Sequence, residues 1–406
     1  MFPKLRFKEF DGDLTESKLV ELTSWASGGT PAKDVPEYWG DGIPLISGAS
    51  MHTNQLYESD VKITKLGLQK GSKLALKDSI LILVRGSMLF NKIPMGITLG
   101  DVAFNQDVKC IRPKQQLAPL FLFQWLHAKE NTIQNKVTAT GIGAGKLDTA
   151  DLQNLKLYKP SSEEQTKIAS FLSNVDEKIS QLTQKHALLS QYKQGMMQKL
   201  FSQQIRFKAD DGSKFGKWVN KKIIEIADYV DFRGKTPKKV DNGILLVTAK
   251  NIRFGYIDYE VSREYIGSDD FEEVMRRGCA KIGDVLITTE APLGNVASVD
   301  REDIALAQRV IKYRGKEGIL NNAFLKQKFL SEDFQALIAS KATGGTVQGI
   351  KGSTLHNLEI YIPQDIEEQT KIANFLSSID QKIEVVAQQI EQAKQWKKGL
   401  LQQMFV

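Results

Sequence analysis

Between residues 168 and 200 apolar side chains recur at alternating steps of four and three: Ile168, Leu172, Val175, Ile179, Leu182, Leu189, Met196 and Leu200, with His186 and Lys193 filling the two remaining steps. The same pattern returns at Ile372, Leu376, Ile379, Ile383, Val386, Ile390, Ala393, Leu400 and Met404, with Lys397 as the one polar position. A stripe with this period, held over more than five heptad half-steps, predicts two long helices that pair as a coiled coil. Neither stretch contains proline, and each follows one, Pro160 and Pro363. Ser161 with Glu164, and Asp365 with Glu368, have the spacing of a capping box. At 1.5 Å per residue each helix would run about 60 Å. The polar His186, Lys193 and Lys397 on the stripe read as residues that set register or whose stems snorkel outward.

The two helices are copies. Residues 163–179 and 367–383 share 13 of 17 positions at one offset, beginning "EEQTKIASFL" and "EEQTKIANFL". The repeat extends through the chain. "LRFKEFDG" at 5–12 returns as "IRFKADDG" at 205–212, "GIPLISGAS" at 42–50 as "GILLVTAKN" at 243–251, "NQDVKCIRP" from Asn105 as "AQRVIKYRG" from Ala307, and "LQNLKLYKP" at 152–160 as "LHNLEIYIP" at 355–363. The offset drifts by a few residues, as surface-loop insertions produce. The chain is therefore two copies of one unit, each a globular part followed by a helix. The boundaries fall at 1–12 for an N-terminal segment, 13–160 for the first globular domain, 161–205 for the central helix, 206–363 for the second domain and 364–406 for the C-terminal helix. A two-fold axis relating the copies would pair the helices antiparallel and put one domain at each end of the rod.

The globular parts read as mixed α and β. Short β-branched runs bounded by Gly, Pro, Asn or Asp predict strands at 43–47, 79–84, 108–112, 244–248, 284–289 and 310–314. Residues 119–131 and 322–340 predict helices. The 406 residues carry a net charge of +7. The two helical segments together carry none, so the positive excess belongs almost wholly to the domains, which favours an anionic partner there. Cys110 and Cys279 are too few for a disulfide framework and point to a reducing compartment. No apolar run approaches the ~18 residues of a membrane span, and the N-terminus lacks the pattern of a signal peptide.

Catalytic signatures fail. "TGIGAGKLD" has Thr140 and Leu147 where a phosphate-binding loop needs glycine and a hydroxyl residue. No dinucleotide fingerprint occurs, nor the Asn-Pro-Pro-aromatic motif of amino-methyltransferases. The four histidines, at 52, 127, 186 and 356, form no metal-ligand pattern with the two cysteines.

Two diverged basic domains, each followed by a near-identical helix opening "EEQ-K-I-A-FL---D-KI" and closing "K-G-(M/L)-(M/L)-Q--F", resemble the specificity (S) subunit of Type I restriction-modification enzymes. The resemblance covers essentially the whole chain and includes the "GTP" turn at Gly29 and the "GIPLIS" strand. It implies an α+β fold with two pseudo-two-fold-related mixed α/β target-recognition domains, separated by an antiparallel coiled coil of two long helices. It implies a non-catalytic, cytoplasmic subunit that reads a split target in double-stranded DNA, one half-site per domain. The helices would fix the gap and dock two methyltransferase subunits, with near-identity of the helices reflecting two identical docks. Two motor-nuclease subunits would join. S-adenosylmethionine for adenine N6 methylation, ATP and Mg would be used by those subunits, with no cofactor in this chain. By residue type and loop position, the DNA-contacting candidates are Thr30, Lys33, Ser47, Arg85, Asn105, Gln106 and Lys146 in the first domain. In the second they are Arg233, Lys235, Lys250, Asn251, Arg253, Gln308, Arg309 and Lys351. The main alternative is a two-domain DNA-binding scaffold or regulator with no methyltransferase partner. Aspartate at Leu172 and Leu376 is expected to break the rod and leave each domain folded.

Overall fold

The computed structural model describes residues 3–141, 143–232 and 237–405. Two long helices, Ser162–Phe201 and Ile366–Met404, occupy the segments that the heptad stripe predicts. The chain divides into two compact units, and both boundaries fall inside these helices: Met1–Thr183 with Gln388–Val406, and Gln184–Ala387. Each unit thus holds the first half of one helix and the second half of the other.

In the first unit a five-stranded sheet runs in the order Thr23–Ser27, Val108–Pro113, Ile80–Leu83, Met95–Thr98, Gln55–Leu56. Ile80–Leu83 is buried at every position, which is why it reads as an unbroken apolar run. A four-stranded sheet orders Lys62–Ile63, Trp39–Ile46, Val102–Phe104 and Lys73–Ala75. Helix Pro119–Ala128 buries Phe121, Leu122, Trp125 and Leu126 in a core that also holds Ile168, Leu172 and Val175 from one long helix and Leu400, Met404 and Phe405 from the end of the other.

The second unit repeats the plan. One sheet orders Ala227–Asp231, Val310–Gly315, Val285–Thr289 and Leu293–Ser298, and another orders Lys239–Val240, Tyr265–Ile266, Ile244–Val247 and Ile304–Leu306. Its main core joins Phe324 and Phe329 to Met197, Leu200 and Phe201 of one long helix and Ile372, Ala373 and Leu376 of the other. All six predicted strands are present. The helix expected over 322–340 is two, Asn322–Leu330 and Glu332–Lys341, because Ser331 leaves the helical region and precedes an acidic first turn.

Within each unit the start of one long helix lies against the end of the other, so the helices run antiparallel. In the first unit Lys397 Nζ donates to Asp176 Oδ1 at 2.6 Å; in the second Lys193 Nζ donates to Asp380 Oδ1 at 2.6 Å. The two lysines on the apolar stripe therefore each meet one aspartate, at equivalent places in the repeat. The second oxygen of each aspartate accepts from a glutamine of the globular domain, Gln124 or Gln327, at 2.8 Å.

The repeated ten residues are the joint between domain and helix. Glu164 takes both Nε and Nη2 of Arg6 at 2.8 Å, and Glu368 takes Nε and Nη2 of Arg206 at 2.9 and 2.7 Å. Gln165 accepts from Ala118 N and donates to the Pro160 and Gln116 carbonyls; Gln369 accepts from Asn321 N and donates to those of Pro363 and Ile319. These four side chains are at most 2% exposed. The expected capping boxes are incomplete for this reason. Ser161 Oγ does accept from Glu164 N at 3.2 Å, but the Glu164 carboxylate is engaged by Arg6, and Asp365 accepts instead from Gly216 N at 3.0 Å.

On the apolar stripe Ile168, Leu172, Val175, Leu182, Ile372, Leu376, Ile379, Val386 and Ile390 are buried, and Ile179, Leu189 and Ile383 are partly so. Leu172 and Leu376, both 0% exposed, sit in the cores of the units themselves. The expectation that aspartate there would leave the domains folded is therefore corrected: the same leucines that line the coil close the domain cores.

Candidate nucleic-acid interface

In the first unit, four backbone hydrogen bonds bring together loops distant in sequence. Gly29 N donates to Phe104 O (3.0 Å), Asn105 N to Ile46 O (3.0 Å), Val84 N to Asp107 O (2.8 Å) and Leu147 N to Val84 O (2.9 Å). The turn at Gly28 lies so close to the strand end that a Cβ there would stand 2.1 Å from Phe104 O, which requires glycine. This frame assembles Thr30, Ser47, Arg85, Asn105, Gln106 and Lys146 along one loop edge. Thr30 Oγ1 donates to Gln106 Oε1 at 2.7 Å, and Asn105 Oδ1 accepts from Asp107 N at 3.2 Å. Ser47 heads the turn Gly48–Ser50, its amide held by Ser50 Oγ at 2.9 Å. Arg85 and Lys146 are exposed register partners on adjacent antiparallel strands. Two like charges placed directly opposite destabilise a ladder, so an anion arriving at this edge would relieve them. Lys33 is exposed on the loop beyond Pro31, outside the four-bond frame.

The second unit has the same frame. Ala307 N donates to Val247 O, Thr289 N to Arg309 O and Ile350 N to Thr289 O, each at 2.9 Å. Each of these bonds corresponds to one of the first unit's, so Arg85 corresponds to Glu290, Asp107 to Arg309, Lys146 to Gly349 and Asp148 to Lys351. The frame is kept and its charges are exchanged. A cleft of ≈420 Å³ is lined by Gln308, Arg309 and Lys351 together with Glu290 and Gly349. An adjoining cleft of ≈310 Å³ is lined by Lys250, Gln308 and Arg309 with Glu264. Four candidates thus converge. Arg253 does not join them; it faces Asp258 at 3.8 Å in the turn between Ile252 and Ile257.

Asn251 is a correction. It is 0% exposed, its Oδ1 accepts from Thr248 N and Oγ1 and its Nδ2 donates to the Asp258 and Ser262 carbonyls, each at 2.9 Å. A side chain so engaged orders the loop and presents no edge to a ligand. Arg233 and Lys235 lie outside the described residues. Glu290 and Gly349 also belong to the edge and are not among the sequence candidates, which are cations, amides and hydroxyls. Setting "VRG" at 84–86 beside "TEA" at 289–291 would have found the acid.

Among the described residues no cluster of His, Cys, Asp and Glu could hold a metal ion, and no helix is long and apolar enough to cross a membrane.

A family model described as the Type I restriction modification DNA specificity domain matches the chain twice, at residues 12–191 and 216–395. The MjaVIII Type I restriction enzyme specificity subunit of Methanocaldococcus jannaschii is 26% identical, over 97% of this chain and 94% of its own length. The EcoR124I/EcoR124II specificity subunit of Escherichia coli is 29% identical over 44% of this chain and 45% of its own. Among solved structures, the Type I restriction-modification S subunit from M. genitalium superimposes with a TM-score of 0.62 at 16% identity, over 100% of this chain and 99% of that one. A chain from a study of complex assembly and conformational transition of the Type I system gives 0.56 at 16% identity, over 97% of each. At that identity the two structures speak to the fold.

Proposed function

The chain belongs to the Type I restriction-modification DNA specificity family, and from that premise we propose that it is the sequence-reading subunit of such an enzyme. It reads a bipartite double-stranded target, one half-site through the loop edge of each unit. It carries no chemistry of its own. Two methyltransferase subunits dock on its helices and supply S-adenosylmethionine-dependent adenine N6 methylation. Two motor-nuclease subunits join with ATP and Mg, and the assembly works in the cytoplasm.

The observation that supports this reading best is the duplicated frame with exchanged charges. A reader of one repeated sequence would keep the same side chains in both copies. Two different half-sites need one scaffold with two sets of base-edge contacts, because phosphate contacts fix position and base contacts fix sequence. Joining two such readers multiplies selectivity when the spacing of the half-sites fits.

The test is a methylome. The chain is expressed with its Type I methyltransferase subunit in a host free of adenine methylation, and N6-methyladenine is mapped genome-wide with and without it. A split motif with a fixed gap, seen only when the chain is present, is the expected result. A methyltransferase that fails to bind the chain would move the reading to the stand-alone DNA-binding scaffold.

A further inference from the structure

We propose that Arg309, positioned by Glu290 and given room by Gly349, is the residue through which the second unit selects a guanine in its half-site. The inference rests on the DNA-reading function above and names the chemistry of one of its two sites.

The Glu290 carboxylate meets Arg309 Nε at 2.6 Å across the edge of the cleft. The two side chains are 41% and 51% exposed, so the pair adds little to stability and stays within reach of a ligand. The carboxylate stands at the Nε end of the guanidinium, and the other end carries the fork of two terminal nitrogens. That fork matches O6 and N7 of guanine in the major groove. A phosphate would not be met this way. A carboxylate beside the arginine repels a phosphate, whereas a base pair tolerates it and offers it the cytosine amine.

Three further features single out this position. Arg309 adopts φ +73°, a left-handed conformation rare outside glycine, and its carbonyl is held there by Thr289 N at 2.9 Å. The equivalent Asp107 of the first unit is not among the described residues with positive φ. At Gly349 a Cβ would stand 3.2 Å from Glu290 Cβ and 3.3 Å from its Oε2, so a side chain there would press on the Glu290 side chain that faces Arg309. The first unit carries Lys146 at that place and Arg85 in place of Glu290, so this device belongs to the second unit alone.

The experiment selects bound duplexes from a pool of randomised double-stranded DNA, using the full chain with its methyltransferase subunit at fixed salt. The wild type is expected to select two half-sites. Arg309→Gln should lose roughly ten-fold to a hundred-fold of the preference for guanine at one position of one half-site, with the other half-site and the gap unchanged. Arg309→Lys, which keeps the charge and loses the fork, should lose it as well. Glu290→Gln should keep guanine as the favoured base with weaker discrimination. If Arg309→Gln instead weakens binding equally for all sequences, with the salt slope reduced by about one, the arginine is a phosphate contact and the inference falls. A motif unchanged in all three variants overturns it too. A wild type that selects no motif overturns the proposed function itself.

Discussion

Glu164 and Glu368 do the same work in the two copies, but not in the same company. Trp218 Nε1 also donates to Glu368 Oε2, at 3.2 Å, where the first unit has the apolar Leu14 at the corresponding place. Removing either carboxylate takes away the paired charge of a largely buried guanidinium and leaves it its carbonyl partner, Gly12 or Gly216, at a cost of about 3–5 kcal/mol. Glu368→Ala should cost roughly a further 1 kcal/mol for the indole N–H left buried. Urea unfolding of the two variants, followed by Trp fluorescence, checks the order; equal losses would remove the indole from the argument. None of this was legible in the ten repeated residues. They mark a helix start, but the partners Arg6 and Arg206 lie 158 and 162 positions away. Side-chain type misled at the loop edge in two ways. Asn251 looks like a reader and is a buried brace, while Glu290 carries the wrong sign for a basic patch and lines a cleft.

Helices and strands were far more legible, because burial writes itself into periodicity. The heptad stripe and the six β-branched runs each correspond to an element observed at that place. The reason for the helix repeat was less so. Identity between the copies suggested a shared external dock, and the residues that repeat most faithfully turn inward onto their own domains. What remains for a partner is outside that joint. Gly195 and Gly399 stand at equivalent places late in the two helices, and a Cβ on either would meet nothing within 4 Å. Alanine at both sites should therefore stabilise the free chain by about 0.5–1 kcal/mol each, read as a higher melting temperature. If a methyltransferase helix packs against them, the same variants bind it less well; unaltered binding would make the glycines incidental. Leu172→Asp should cost more than the roughly 2–5 kcal/mol of a leucine-to-alanine cavity. Hydrogen exchange should show the loss spreading through the first unit, since Leu172 sits in the same core as Trp125 and Leu157.

Considered as one polypeptide, the chain concentrates its positive charge in the domains and its sequence divergence at their loop edges. Exchanging residues 213–363 for those of another family member should change one half of the methylated motif and keep the other, as a methylome would record. A change in both halves would mean that the readers are not independent. The peptide joining the first long helix to the second domain has a counterpart that is not covalent. Ile205 N donates to Lys199 O at 3.3 Å where the chain passes on, and at the equivalent place Leu5 N donates to Gln403 O at 2.9 Å, between segments far apart in sequence. Phe7 against Phe171 and Phe207 against Phe375, at 5.7 and 5.8 Å, repeat the correspondence. The same joint is thus made twice, once along the chain and once without a peptide bond. Sealing residue 405 to residue 5 with a short linker and cutting between 202 and 205 would give a circular permutant in which the domains trade places in the gene. Such an allele would encode the same two domains in the other order, and the expected outcome is an unchanged methylated motif.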